Sequence, residues 1–159
     1  MTGSGGTTFT EVTRVACDPA TLFDLSLSID AHLDSMRRSG ERAVAGVTSG
    51  TIGLGETVTW RARHFGVMWT MTSKITALDR PRRFVDEQVR GPFRAFRHEH
   101  RFERDGDLTL MTDTVTLRSP LLGRIVEPLL LKPYLRRLIR SRNEVLVEKV
   151  TANRGVDGR

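Results

Sequence analysis

Two histidines on one short segment, His98 and His100, and an aspartate on the next, Asp113, are the side chains of this sequence best suited to chemistry. An imidazole changes charge near neutral pH, and a carboxylate beside it raises its pKa and fixes which ring nitrogen carries the proton. A histidine held that way has the arrangement of an oriented general base. The same pair can equally be a buried polar unit that satisfies itself and only shapes a pocket, which is the commoner outcome. A third reading is a zinc site of His98 and His100 with Asp113 as a further ligand and His64 as a fourth candidate. No cysteine supports it, and no metal and no cofactor are expected.

These residues need elements to position them. From Gly91 to Phe102 the chain reads as one β-strand, in which Phe96, His98, His100 and Phe102 share a face because successive side chains alternate. Arg97, Glu99, Arg101 and Glu103 take the opposite, watery face. The more apolar face should point inward, and a core that needed only stability would rarely carry histidines there. Asp105-Gly106 is a hairpin signal. A two-residue loop at that point pairs Arg104 with Asp107, Phe102 with Thr109, His100 with Met111, His98 with Asp113 and Phe96 with Val115. Met111, Asp113 and Val115 then join the inward face.

Other strands supply the walls. Glu56 to Phe65 places Val58, Trp60, Ala62 and His64 on one face, and the next strand places Val67, Trp69, Met71 and Ile75 together. Trp60, Trp69 and Met71 are core or pocket lining, and His64 fits a satisfied rim or core position better than a ligand contact. For the strand around residues 83–89, the Gly91-Pro92 turn fixes no loop length. One register turns Phe84, Asp86 and Gln88 inward and the other turns Val85, Glu87 and Val89 inward; the larger Phe84 favours the first.

The 159 residues suffice for one domain with a sizeable core, expected over residues 8–152 with flexible termini at 1–7 and 153–159. Hydrophobic residues make up 38 % and charged ones 28 %, which suits a globular chain. No apolar run approaches the roughly 20 residues that span a bilayer. The N-terminus lacks the basic and apolar regions of a signal peptide, and the single Cys17 excludes an internal disulfide, so a cytoplasmic location is expected. A net charge of +6 raises nucleic acid or an anionic membrane as partners. Scattered solvated arginine explains it more simply, and no specific nucleic acid is expected. Gly50, Gly53 and Gly55 lack the lysine of a phosphate loop, no nucleophile elbow is present, and Cys17 reads as packing.

The order of elements follows from punctuation. A strand from Thr8 to Val15 leads into a helix opened by Asp18 as N-cap and Pro19 in the first turn. Ile29-Asp30 starts another short helix, over Ala31 to Arg38, ended by Gly40. The period then becomes two, with strands at Arg42–Thr48, Glu56–Phe65, Val67–Leu78, Arg83–Val89, Phe93–Arg104 and Asp107–Arg118. Short connections imply an antiparallel meander. Helical spacing returns from Leu122, with Ile125, Val126, Leu129, Leu130, Tyr134, Leu135, Leu138, Ile139, Val145 and Leu146 as the apolar positions. Arg136, Arg137, Arg140, Arg142 and Lys149 occupy the other side. Pro128 and Pro133 should kink the first turns, leaving a helix from Pro133 to Ala152 that is about 30 Å long.

This order resembles the START-like helix-grip fold of the SRPBCC superfamily, and its bacterial polyketide cyclase/dehydrase-like members in particular. The resemblance rests on Thr13-Arg14-Val15-Ala16-Cys17-Asp18-Pro19-Ala20-Thr21-Leu22-Phe23, on Asp79-Arg80-Pro81-Arg82-Arg83-Phe84-Val85-Asp86-Glu87-Gln88, on Gly91 to Phe102 and on Met111-Thr112-Asp113-Thr114-Val115. It spans roughly residues 8–150. It implies an α+β fold: a curved antiparallel sheet of about seven strands around a long C-terminal helix, with two short helices after the first strand. It also implies a cavity between sheet and helix for lipids, polyketides or other hydrophobic molecules. The superfamily shares no catalytic motif, so the resemblance alone assigns no reaction.

Three functions are consistent with this reading. The first is a binding protein whose cavity takes a small hydrophobic molecule, with Trp60, His64, Trp69, Met71, Phe84, Phe96, His98, His100, Met111, Asp113, Leu135 and Leu138 as contacts. The second is a cyclase/dehydratase-type lyase or isomerase, with His98 oriented by Asp113 as base and His100 polarising the substrate oxygen. The third is contact with a membrane or nucleic-acid surface through the basic C-terminal helix. The sequence places the binding protein first and leaves monomer and homodimer open.

Overall fold

The computed structural model describes residues 6–120 and 127–156, with side-chain surroundings up to residue 153. Strand β1 (Thr7–Val15) is followed by helices α1 (Pro19–Ser26) and α2 (Ile29–Ser35). Six strands follow, β2 (Arg42–Gly46), β3 (Thr57–His64), β4 (Val67–Asp79), β5 (Arg83–Arg90), β6 (Ala95–Asp105) and β7 (Leu108–Arg118). A π-helical turn (Glu127–Leu131) leads into the long helix α3 (Lys132–Val156). The seven strands form one antiparallel sheet in the order β1-β7-β6-β5-β4-β3-β2, so the meander ends against the first strand. The helix-grip expectation holds: a curved sheet, short helices after β1 and a long helix across its inner side.

Local chemistry explains the starts and stops. The Asp18 side chain accepts from the Ala20 amide at 3.0 Å and Pro19 occupies the first turn of α1. Helix α2 begins two residues before the expected Ala31, because Ser28, not Asp30, is its cap and accepts from the Ala31 amide at 3.2 Å. It also stops at Ser35, and Arg37–Ser39 tightens into a 3-10 turn closed by Gly40 in the left-handed region, φ 64°. Pro133 lies in the first turn of α3, directly after the π-helical turn. Pro128 lies in the π-helical turn. The expected helical positions Leu122, Ile125 and Val126 lie outside the described residues.

The β6–β7 hairpin corrects the register read from the sequence. Its two-residue loop is Gly106-Asp107 rather than Asp105-Gly106, and Asp105 pairs with Leu108. Gly106 has φ 61°, the conformation a glycine supplies at the first position of such a loop. Every partner therefore moves by two residues: His98 faces Val115, His100 faces Asp113 and Phe102 faces Met111. A slide of two preserves which face each side chain takes, so the inward set survives while the pairs change.

Two apolar clusters hold the layers together. One joins Leu22 and Phe23 of α1, Ile29 of α2, Phe84, Phe102 and Met111 of the sheet, and Leu146 and Val150 of α3. The other joins Phe9, Val115 and Leu117 to Leu131 and Ile139. Ion pairs from Arg136 and Arg140 to Glu11 and from Lys149 to Asp34 tie α3 to β1 and α2. Among the described residues no helix is long and apolar enough to cross a membrane.

Candidate functional site

On the inner face of the sheet, between the two clusters, the apolar surface is interrupted by charge. His98 and His100 are 6 % and 3 % exposed and Asp113 is fully buried. The three strands that bring them together are neighbours: Asp86 of β5 lies opposite His98, and Asp113 of β7 lies opposite His100. His98 Nε2 is 2.9 Å from Asp113 Oδ1. His100 Nε2 is 2.8 Å from Asp86 Oδ2. His100 Nδ1 lies 2.9 Å from Asp113 Oδ1 but off the line of a hydrogen bond, and it has no hydrogen-bond partner among the described residues. The two imidazole rings are tilted by 33° with centroids 3.7 Å apart, and Phe84 stacks on His100 at 4.0 Å.

Helix α3 completes the cluster from above. Asn143 Nδ2 donates to Asp113 Oδ2 at 2.7 Å and to Thr13 Oγ1 at 3.0 Å. Arg142 donates to Asp113 Oδ1 at 3.4 Å and to Asn143 Oδ1 at 3.1 Å. Arg142 is 4 % exposed, which corrects its expected place on the outer side of the helix. Leu135, Leu138, Ile139, Arg142, Asn143, Leu146 and Val150 recur at helical spacing, and the polar pair is an interruption within the sheet-facing stripe.

Electrostatics separates the two histidines. Burial pushes His98 below its ordinary pKa, and the neighbouring His100 acts in the same direction, outweighing Asp113 and Asp86. Burial opposes charge on His100 as well, but its close approach to Asp113 and its hydrogen bond to Asp86 carry it above the ordinary value. Burial also works against charge on Asp113, yet the two histidines and Arg142 hold it well below the usual carboxylate range. Asp86 is lowered on the same balance: burial opposes its charge, and His100 and His98 favour it. The same surroundings thus favour the neutral form of His98 and the charged form of His100 relative to a free imidazole.

The cluster borders a cavity. One lobe of about 150 Å³ lies beneath α3 and is walled by Trp60, Trp69, Met71, Phe93, Phe96, Tyr134, Leu135 and Leu138. A second, of about 90 Å³, reaches toward α2 and is bordered by Ile29, Ile52, Phe84, His100 and Arg142. Asp86, His98, Ser73, Trp60 and His32 line both, so the lobes meet at the charged cluster. Ser73 Oγ is buried there with no hydrogen-bond partner among the described residues. Two further polar stations occupy the first lobe. His64 Nδ1 pairs with the Tyr134 hydroxyl at 2.7 Å, and His32, tilted against the Trp60 ring, pairs with Glu41. Burial lowers the His64 pKa and raises that of Tyr134.

Of the residues singled out from sequence, Trp60, His64, Trp69, Met71, Phe96, His98, Leu135 and Leu138 line the first lobe. Phe84 and His100 border the second. Met111 and Asp113 border neither; Met111 packs in the core and Asp113 stands behind the histidines. Sequence reasoning passed over Ser73, although it sits between Met71 and Ile75 at the inward parity of β4. It also passed over His32, Glu41 and Tyr134, whose positions depend on how α2 and α3 approach the sheet.

A family model described as polyketide cyclase / dehydrase and lipid transport matches residues 6–151. No curated protein sequence matches the chain at a significant level. Among solved structures, the Thermus thermophilus protein TTHA0849 superposes with a TM-score of 0.71 at 17 % identity, covering 92 % of this chain and 99 % of that one. The Zhui aromatase/cyclase of a Streptomyces strain gives 0.71 at 14 % identity, over 91 % and 93 % of the two chains. Norcoclaurine synthase from Thalictrum flavum gives 0.68 at 12 % identity, over 92 % and 87 %. At these identities the likeness is one of fold.

Proposed function

Since the chain belongs to the polyketide cyclase / dehydrase and lipid transport family, we propose that it binds a small hydrophobic molecule between the sheet and α3. The carrying observation is the two-lobed cavity itself, whose aromatic and aliphatic walls converge on a few buried polar atoms at its centre. The occupant is a lipid, polyketide or aromatic-like compound with an apolar body and a hydroxyl or carbonyl group. The body fills the space among Trp60, Trp69, Phe96 and Leu135, and the oxygen meets Ser73 Oγ or the His98–Asp86 pair. An unpartnered buried hydroxyl costs about 1–3 kcal/mol, which a ligand oxygen would recover.

Native mass spectrometry of the purified protein, followed by extraction of whatever travels with it, tests this. A stoichiometric apolar compound is the expected result. A protein that carries nothing and shows no thermal stabilisation by any member of a lipid, polyketide and aromatic panel would reject it.

One observation favours a second reading, a cyclase/dehydratase-type reaction. His98 faces both lobes while its Nε2 is held by the buried Asp113 at 2.9 Å, which leaves Nδ1 for proton abstraction next to a carbonyl. His98→Gln separates the readings. A pocket-lining role predicts ligand affinity within about tenfold of the parent, and a general base predicts a rate loss of roughly 100-fold or more.

A further inference from the structure

We propose that Asp86, His98 and His100 form a binding site for one divalent transition-metal ion, with Asp113 as the carboxylate that orients both imidazoles. The inference goes beyond the binding of a hydrophobic molecule and stands independently of it.

The donors are already gathered. Asp86, His98 and His100 each offer one ligand atom, and the three atoms lie within 4.8 Å of one another. Asp86 Oδ2 is 2.8 Å from His100 Nε2 and 4.0 Å from His98 Nδ1. Zinc bonds to nitrogen and oxygen of about 2.0–2.2 Å in a tetrahedron put donor atoms roughly 3.3 Å apart. The two distances bracket that value, and Asp86 can adjust, since its side chain is 21 % exposed where those of His98 and His100 are 8 % and 4 % exposed.

What stands behind the donors fits a metal more closely than the donors do by themselves. A metal-bound histidine commonly gives its other N–H to a carboxylate, which fixes the ring. Here both far nitrogens lie 2.9 Å from a single oxygen, Asp113 Oδ1: His98 Nε2 is hydrogen-bonded to it, and His100 Nδ1 stands beside it off the hydrogen-bond line. Asp113 is itself fixed by Asn143 at 2.7 Å and by Arg142 at 3.4 Å. This also changes the assignment read from sequence: Asp113 faces the outer nitrogens as support, and the carboxylate on the metal side is Asp86.

The site has an open position in the right place. Asp86 and His98 line both lobes, so a fourth ligand would come from the cavity. Three protein donors and one open position is the arrangement of a working metal centre rather than a closed structural one. Nitrogen and carboxylate donors favour zinc, cobalt, nickel or iron over magnesium and calcium. Ligating imidazoles are neutral, so a dication with Arg142 exceeds Asp86 and Asp113 by one positive charge. The open position therefore suits an anionic oxygen, such as hydroxide or the carboxylate, phenolate or enolate of a bound molecule. A metal there would polarise that oxygen at the meeting point of the lobes.

The test is titration of the full chain, stripped by chelator, with Co²⁺, followed by competition with Zn²⁺. The expected result is one Co²⁺ per chain with a Kd below about 10 µM and visible bands of four- or five-coordinate cobalt. His98→Gln and Asp86→Asn should weaken binding by 100-fold or more, and Asp113→Asn, which keeps the shape but changes the support, by about 10–100-fold. Pulsed EPR of the Cu²⁺-loaded parent should show two imidazole nitrogens, a readout that needs no variant to fold. No binding at millimolar Co²⁺ or Zn²⁺, a single imidazole nitrogen, or unchanged affinity in a folded His98→Gln protein would overturn the proposal. Ligand co-purification is scored separately, so either result can fail without the other.

Discussion

Strand β6 carries a charge network on each of its faces, and the two obey different rules. On the outer face Glu99 accepts from Arg83 at 3.1 Å and Arg97 at 2.7 Å and pairs with Arg101. On the inner face His98 and His100, its immediate neighbours, meet Asp86, Asp113, Arg142 and Asn143. The outer arginines keep 33 %, 38 % and 53 % of their side-chain surface in water, and solvent competes for every charge they hold. The inner groups have lost most of their water, so each depends on the others for solvation. An outer pair can be removed at little cost. An inner member cannot be removed alone, because its partners stay buried and unpaired.

The strongest way to break this contrast is Asp113→Ala. It takes a buried partner from two imidazoles, a guanidinium and an amide at once, and we expect a loss of about 3–5 kcal/mol in urea or thermal unfolding. Asp113→Asn keeps the volume and part of the hydrogen bonding and should lose less. An Ala variant within about 1 kcal/mol of the parent would put the inner network on the footing of a surface pair and remove the contrast. Next in size is Arg142→Met, which fills similar space without the charge. The Arg142–Asp113 contact is long, at 3.4 Å, so the expected loss is about 1–3 kcal/mol. The coupling between Arg142→Met and Asp113→Asn in a double-mutant cycle should exceed about 0.5 kcal/mol.

The two faces also differ in how far they could be read from the sequence. The alternation Phe96, His98, His100, Phe102 fixed the inner face without any structure, because a strand has a period of two and a slide of two residues leaves the faces unchanged. The same tolerance hid the true partners. Gly106 as first rather than second loop residue moved every β6–β7 pair, and no alternation pattern senses that. Asp86 was ambiguous for a related reason. Phe84 and Val85 are both buried, at 2 % and 1 %, so burial does not alternate there. The register also shifts between Thr72 and Ser73, where β4 meets β5. Arg142 and Asn143 were illegible because their place depends on how a long helix crosses the sheet, and Arg142 looks like one more solvated arginine beside Arg136, Arg137 and Arg140. The fold needed only periodicity and caps, and the site needed the relative placement of β5, β7 and α3.

Ser73→Ala probes the inner face from the cavity side. Its hydroxyl is an inner-face group with no hydrogen bond to lose, since it is buried without a partner among the described residues. Stability should be unchanged or slightly higher, while affinity for a ligand bearing a hydroxyl or carbonyl should fall about tenfold, the worth of one hydrogen bond. Calorimetric titration with the co-purified compound would measure it. Lost stability with unaltered affinity would place the hydroxyl in the structural network and not in the binding surface.

The smallest effect belongs to Glu99→Gln, and its dependence on pH is the informative part. Burial opposes charge on Glu99, but hydrogen bonds from Arg97, Arg83 and Arg101 prevail and hold its pKa at about 2, against an ordinary value of 4.5. A depressed folded pKa contributes stability that is fully present above the unfolded value and is lost as pH falls through the folded one. The parent should therefore exceed Glu99→Gln by a constant margin above pH 4.5, and the margin should close as pH falls toward about 2. At neutral pH it should stay below about 1 kcal/mol and shrink further in high salt, because the arginines are solvated and screened. Melting temperatures of the two proteins across that range measure it. A margin that ignored salt would mean that the outer face of β6 is shielded from water as the inner face is.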